Sequence, residues 1–99
     1  MSEFLTAEHF RPHLTKTFRV QGGEHAFTLD EVQTHPVSEA AAKVVQRQPF
    51  TLIFNGPPGN VLSEGMYTFD VDGGSSFELY VMPIHTPARD RQHYQAAFN

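Results

Sequence analysis

The chain has 99 residues and a formal net charge of −4, and it contains neither cysteine nor tryptophan. This length predicts a single domain over residues 1–99, because a second domain would be too small to keep a stable core. The lack of cysteine excludes disulfides, thiol nucleophiles, cysteine-bound zinc and iron–sulfur clusters. With 39% apolar residues, the chain can still form a core.

The charge distribution argues against nucleic-acid and membrane partners. Seven basic residues are scattered against eleven acidic ones, whereas a phosphate-binding surface usually needs clustered positive charge. No segment approaches the roughly 18 continuous apolar residues that cross a bilayer. Residues 1–5 also lack the basic start and apolar run of a signal peptide. We therefore expect a soluble, cytoplasmic protein that binds neither nucleic acid nor membrane.

The first predicted element is a short helix over residues 5–10. Thr6 can cap its first turn, and Pro12 limits its length, since proline disfavours helical geometry in the residue before it. Phe10 and its apolar neighbours are spaced by one or two turns. This helix is expected to cover one end of the core.

Apolar and polar residues alternate from residue 17 onward, which is the period of two that indicates β-strands. A Gly-Gly pair between two such runs predicts a hairpin over residues 17–34. In its second strand, Asp30 and Glu31 are expected to point to opposite faces, so that one of them faces inward or lies at a barrel mouth. A structural hydrogen bond, or an ion pair with Arg19 across the hairpin, is the favoured interpretation for these carboxylates.

Residues 35–49 predict a mobile or loosely helical crossover, because their alanine run is too short to be a stable helix alone. Val44-Val45 is equally compatible with the start of a strand. Four more alternating runs follow, at residues 50–55, 66–71, 77–82 and 94–98. Together these signals predict an all-β domain with a short N-terminal helix, a small antiparallel barrel or sandwich of about six strands. The aromatic residues of the later strands are expected in its core: Phe50, Phe54, Tyr67, Phe69, Phe77, Tyr80 and Phe98.

No pattern in the chain predicts catalysis or a cofactor. The glycine- and proline-rich residues 56–60 lack the Lys-Ser/Thr pair of a phosphate-binding loop, and no serine lies in a Gly-x-Ser-x-Gly elbow. Acidic pairs exist, but nothing in the sequence places two carboxylates across a cleft. We therefore predict a non-enzymatic protein without a cofactor.

His9 and His13 are four residues apart, the spacing that puts two side chains on one helical face. A metal site would need a third ligand, such as Glu8, His85 or His93. A proline between the two histidines distorts the turn that would align them. Solvated surface histidines are therefore the favoured interpretation, and a histidine-based metal-binding protein remains an alternative.

The loops offer the best candidates for function, because exposed loops carry much of the binding in small domains. The stiff residues 56–60, the charged residues 85–92 and residues 44–48 are the predicted contact regions. We expect an interaction or assembly module that uses these loops or an unpaired sheet edge, with an unknown protein or a second copy of the chain as partner. The predicted contact residues are Gly56, Pro57, Pro58, Gly59, Asn60, Arg89 and Arg91.

A small-ligand-binding barrel is the other alternative. Its mouth would use Tyr67, Tyr80 or Asp30 as polar anchors. A large pocket lined by aromatic and convergent polar groups would favour this function, and a filled core would exclude it.

Several stretches of the chain resemble a family of short bacterial proteins that is described as a domain of unknown function. The resemblance implies a compact, β-rich bacterial domain and brings no catalytic residues. Some similar proteins accompany phage-tail-collar-like genes, which implies a role in assembly. The stretches that carry it are Pro-Phe-Thr-Leu-Ile-Phe-Asn-Gly-Pro at 49–57, Gly-Met-Tyr at 65–67, Phe-Glu-Leu-Tyr-Val-Met-Pro-Ile at 77–84, Tyr-Gln-Ala-Ala-Phe-Asn at 94–99, and Leu-Thr-Ala at 5–7 with Phe10.

Overall fold

The computed structural model describes residues 5–35, 49–59, 61–87 and 89–98. A four-residue helix, α1, and a 3-10 helix at Arg11–His13 precede six strands. The all-β prediction with a short N-terminal helix is confirmed, and the predicted crossover falls mostly outside the described residues. The bounds are α1 (Ala7–Phe10), β1 (Thr17–Val20), β2 (Ala26–Thr34), β3 (Phe50–Gly56), β4 (Gly65–Val71), β5 (Ser76–Pro83) and β6 (Gln92–Phe98).

The six strands form a closed antiparallel barrel in the order β1-β2-β3-β6-β5-β4, and β4 pairs back to β1. Each half of the chain is a three-stranded meander, β1-β2-β3 and β4-β5-β6. Two ladders between the meanders, β3 with β6 and β1 with β4, join them into one barrel. The architecture is therefore a barrel and not a sandwich. Within the described ranges, no helix is long and apolar enough to cross a membrane.

Side chains fill the interior of the barrel. The rings of Phe18 and Phe54 meet edge to face with centroids 5.1 Å apart, and Phe54 stacks on Phe69 at 6.1 Å. The prediction that Phe50 and Phe54 lie in the core is confirmed, because both are fully buried, as is Leu52 between them. The prediction for Tyr80 is wrong. It is 45% exposed, since it lies between buried Leu79 and Val81 and therefore points to the outer face.

Helix α1 closes one end of this barrel. Phe10 is fully buried, and its ring packs against Phe50, Phe77 and Phe98 with centroid distances of 4.7 to 5.8 Å. The first turn is capped by a local hydrogen bond in which the backbone N–H of Thr6 donates to Nδ1 of His9 at 2.9 Å. The helix therefore covers one end of the core, as the sequence predicts.

A β-bulge in β2 changes the predicted orientation of two acidic residues. The pairing with β3 shifts register between Leu29 and Glu31, which leaves Asp30 as the extra residue. Asp30 and Glu31 are consequently both exposed, so the inward placement, one of the two that the sequence predicts, is wrong. The predicted ion pair of Arg19 with either of them is also wrong, because Arg19 Nε lies 3.7 Å from a carboxylate oxygen of Asp72.

Candidate interaction groove

The loop that follows β3 and the loop that precedes β6 lie side by side on the outside of the barrel. The ladder between these strands pairs Gly56 with Gln92, so the residues just after Gly56 and just before Gln92 must emerge at the same place. Together the two loops line an open groove with a volume of about 440 Å³. The lining residues are Gly56, Pro57, Asp90 and Arg91 from the loops, with Ala26, Thr28 and Asn55 from β2 and β3.

The strand side of the groove follows from the alternation along β2. Thr28 lies between Phe27 and Leu29, which are both buried in the core, so Thr28 faces outward. Asn55 is its partner across the β2–β3 ladder and lines the same groove. A hydroxyl and an amide therefore form a polar surface between the two loops.

Arg91 and Asp90 form an ion pair at the groove wall. Nε and Nη2 of Arg91 donate to the two carboxylate oxygens of Asp90 at 3.1 and 3.2 Å. These hydrogen bonds, with the attraction between the two charges, lower the pKa of Asp90 and raise the pKa of Arg91. The charge of Asp30 further raises the pKa of Arg91, so both members of the pair are charged at neutral pH.

A smaller apolar niche adjoins the groove and shares Ala26 and Pro57 with it. Its volume is about 90 Å³, and it is lined by Glu24, His25, Ala26, Phe27, Pro57, Gly59 and Tyr94. Two of its walls belong to the core: Phe27 and Tyr94 are each 1% exposed, with ring centroids 4.3 Å apart. The Tyr94 hydroxyl accepts a hydrogen bond from the backbone N–H of Leu62 at 3.0 Å. The niche is therefore a preformed depression with walls fixed by the barrel.

The predicted contact residues fall into three groups. Gly56, Pro57 and Arg91 line the groove, and Gly59 lines the niche. Pro58 and Arg89 are exposed in the same loops but line neither. Asn60 and residues 44–48 lie outside the described residues.

Sequence reasoning missed the lining residues on the strands, of which Thr28 and Asn55 are the main ones. The alternation around Thr28 indicates an outward side chain. Nothing in the local sequence indicates which loops cover it, because that depends on the pairing of β3 with β6.

Of the three anchors proposed for a ligand-binding barrel mouth, Tyr67 and Tyr80 lie on the neighbouring strands β4 and β5, and Asp30 lies apart from both on β2. The Tyr67 hydroxyl donates to the backbone carbonyl of Ser63 at 2.8 Å. The Tyr80 hydroxyl donates to the carboxylate of Glu64, and this contact raises the pKa of Tyr80. Tyr80 and Asp30 are exposed on β5 and β2, which are not neighbours in the barrel.

The histidines have separate local environments. Nδ1 of His9 accepts the capping hydrogen bond. Nδ1 of His13 is buried without a hydrogen-bond partner, and its ring packs edge-on against Phe18 and Phe77 at 6.3 and 5.6 Å. In the part of the chain that the structure describes, no three histidine, aspartate or glutamate side chains are grouped so as to hold a metal ion.

Fold and site together define a class: a small, closed, six-stranded antiparallel β-barrel with a groove between two loops on its outer surface. The sequence pattern of a family described as a domain of unknown function, DUF6916, matches residues 5–98. The chain belongs to this family. No match was found among curated proteins or among solved structures.

Proposed function

We propose that the chain is a non-enzymatic interaction or assembly module whose contact surface is the groove between residues 56–59 and 89–91. The observation that carries the proposal is that these two loops, more than 30 residues apart in the sequence, line one groove beside a preformed niche. Loops held on a rigid barrel form a surface whose shape exists before the partner arrives, which reduces the entropy lost on binding.

The chemistry of the groove suits recognition. Thr28 and Asn55 provide hydrogen-bonding groups that an extended partner segment can use. Pro57 restricts the backbone of one wall, and the Arg91–Asp90 ion pair supports the other. The proposal also includes that the protein is bacterial and cytoplasmic and that it assembles with phage-tail-like components. These parts of the proposal rest on the family resemblance. The partner is a protein of the host cell or a second copy of the chain.

The test compares two arginines that are matched in exposure. The side chains of Arg91 and Arg11 are each 44% exposed and paired with a nearby carboxylate, but only Arg91 lines the groove. We expect Arg91→Ala and Pro57→Ala to reduce cross-linked partner recovered from native cells by at least tenfold, while Arg11→Ala leaves recovery unchanged. Alanine at Pro58 and Arg89 extends the test around the groove. An unchanged partner profile in all four loop variants would contradict the proposal.

A further inference from the structure

The size of the niche limits what side chain it accepts. At about 90 Å³, it is smaller than the roughly 150 Å³ cavity that takes up a benzene ring. Its walls include the rings of Phe27 and Tyr94, which are buried in the core. These walls therefore cannot move apart to admit an aromatic side chain. A small branched aliphatic side chain, such as valine, fits this volume and its apolar walls.

Carboxylates outnumber cations around the groove. Glu24 lines the niche, and Asp30 is exposed on β2 two positions beyond Thr28 of the groove. With Asp90, this makes three carboxylates against Arg91 and the neighbouring Arg89. The ion pairs of the described residues are Arg11–Glu8, Arg19–Asp72 and Arg91–Asp90, so neither Glu24 nor Asp30 is held in one. The surface therefore favours a cationic partner.

The two carboxylates outside ion pairs also set an upper limit on the spacing of the partner's charges. Glu24 lies in the turn before β2 and Asp30 at the bulge within β2, with Ala26 and Thr28 of the groove between them. Because a fully extended chain advances about 3.3 Å per residue, the Cα atoms of these two residues, six positions apart, are at most about 20 Å apart. An extended partner whose two cationic residues are no more than six positions apart therefore matches them.

We propose that the groove binds an extended peptide segment that seats a small aliphatic side chain in the niche and places a lysine or arginine against Glu24 and another against Asp30. This inference rests on the proposed function and names the partner's chemistry. The polar pair Thr28 and Asn55 contacts the peptide backbone between its two cationic residues.

The probe is the end-blocked peptide Gly-Lys-Ser-Val-Gly-Ser-Ser-Lys-Gly, whose lysines and valine share one face when it is extended, titrated into the isotope-labelled chain while amide NMR shifts are recorded. We expect saturable shifts confined to residues 24–30, 55–57 and 90–94. Replacing both lysines with glutamate should weaken binding at least tenfold, and replacing valine with glycine or tryptophan should weaken it several-fold. Binding should also weaken as salt is raised, because the charges are exposed.

The matched protein variants are Glu24→Gln and Asp30→Asn, with Glu78→Gln as the control because Glu78 is also exposed but lies on β5. We expect the first two to weaken binding threefold or more and the control to have no effect.

Tighter binding of the glutamate peptide, shifts outside the groove, or no saturable binding of any peptide would overturn the inference. Groove shifts that appear on raising the protein concentration alone would also overturn it, since the occupant would then be a second copy. If Arg91→Ala still abolishes partner capture while the lysine peptide does not bind, the proposed function stands and this inference fails.

Discussion

At the scale of single residues, Gly56 allows a close approach between the groove and the core. A Cβ at this position would lie 2.5 Å from Cδ1 and 2.9 Å from Cε1 of Phe27, and 3.5 Å from Cε1 of Tyr94. Both rings are buried and pack against each other, so neither can move without disturbing its neighbours. Glycine is required here by this close contact.

We therefore expect Gly56→Ala to lower the free energy of unfolding by about 1–3 kcal/mol, the typical effect of overpacking a core. Urea unfolding measures the change. Gly59→Ala is the matched control, because no atom lies within 4 Å of its added Cβ, and it should change stability by about 0.5 kcal/mol or less. Equal losses in the two variants would show that the contact with Phe27 is not the cause.

At the scale of elements, α1 covers the place where β5 and β6 separate. Their ladder, the shortest in the described barrel, consists of Met82 with Gln95 and Pro83 with Tyr94. Toward the α1 end, the ring of Phe10 packs against an aromatic residue from each of these strands, Phe77 on β5 and Phe98 on β6. A helix of four residues is too short to be stable alone, so the helix and this end of the barrel stabilise each other.

Phe10→Ala should lower the free energy of unfolding by about 3–5 kcal/mol, because it removes a fully buried ring. Faster amide hydrogen exchange in residues 7–13 should accompany the loss. Glu8→Ala on the exposed side of the same helix removes only the surface ion pair with Arg11 and should change stability by about 1 kcal/mol or less. If exchange in residues 7–13 is unchanged in Phe10→Ala, the helix is held by contacts other than this ring.

At the scale of the whole molecule, His13 makes the stability of the barrel depend on pH. Its Nδ1 is buried without a partner. Burial lowers the pKa of His13 below its ordinary value of 6.5, and the charge of Lys16 adds to this effect. The unfolded chain therefore takes up this proton at a higher pH than the folded chain does. Stability is full above about pH 6.5 and falls as the pH drops toward the lower folded pKa.

We expect the urea midpoint to fall between pH 7.5 and pH 5, and His13→Gln to reduce this fall. The titration of Asp70 and Asp90 does not interfere, because hydrogen bonds lower the pKa of each below 3.8. His85→Gln serves as the control, since His85 is exposed, and it should keep the wild-type pH dependence. An unchanged slope in His13→Gln would show that other groups are responsible.

Much of the fold was predictable because strand formation depends on near neighbours in the chain. The alternation of residues 50–55 indicated a strand, and the Gly-Gly pair of the first hairpin indicated where β1 ends; Gly22 indeed has a positive φ angle of 74°. Tyr80 was predicted in the core because it is aromatic, whereas its position between the buried residues Leu79 and Val81 places it on the outer face. Asp30 was misplaced because a bulge shows no clear local pattern.

The amino-acid sequence by itself determined the strand segments, most of their inward faces and the helix at one end, since period-two alternation and turn residues act within a few positions. Only the tertiary structure decided that the two meanders close into a barrel and that Pro57 and Arg91 border one groove. Those features depend on the pairings of β3 with β6 and β1 with β4. Such pairings join residues tens of positions apart, and their register is set by the packing of the shared core.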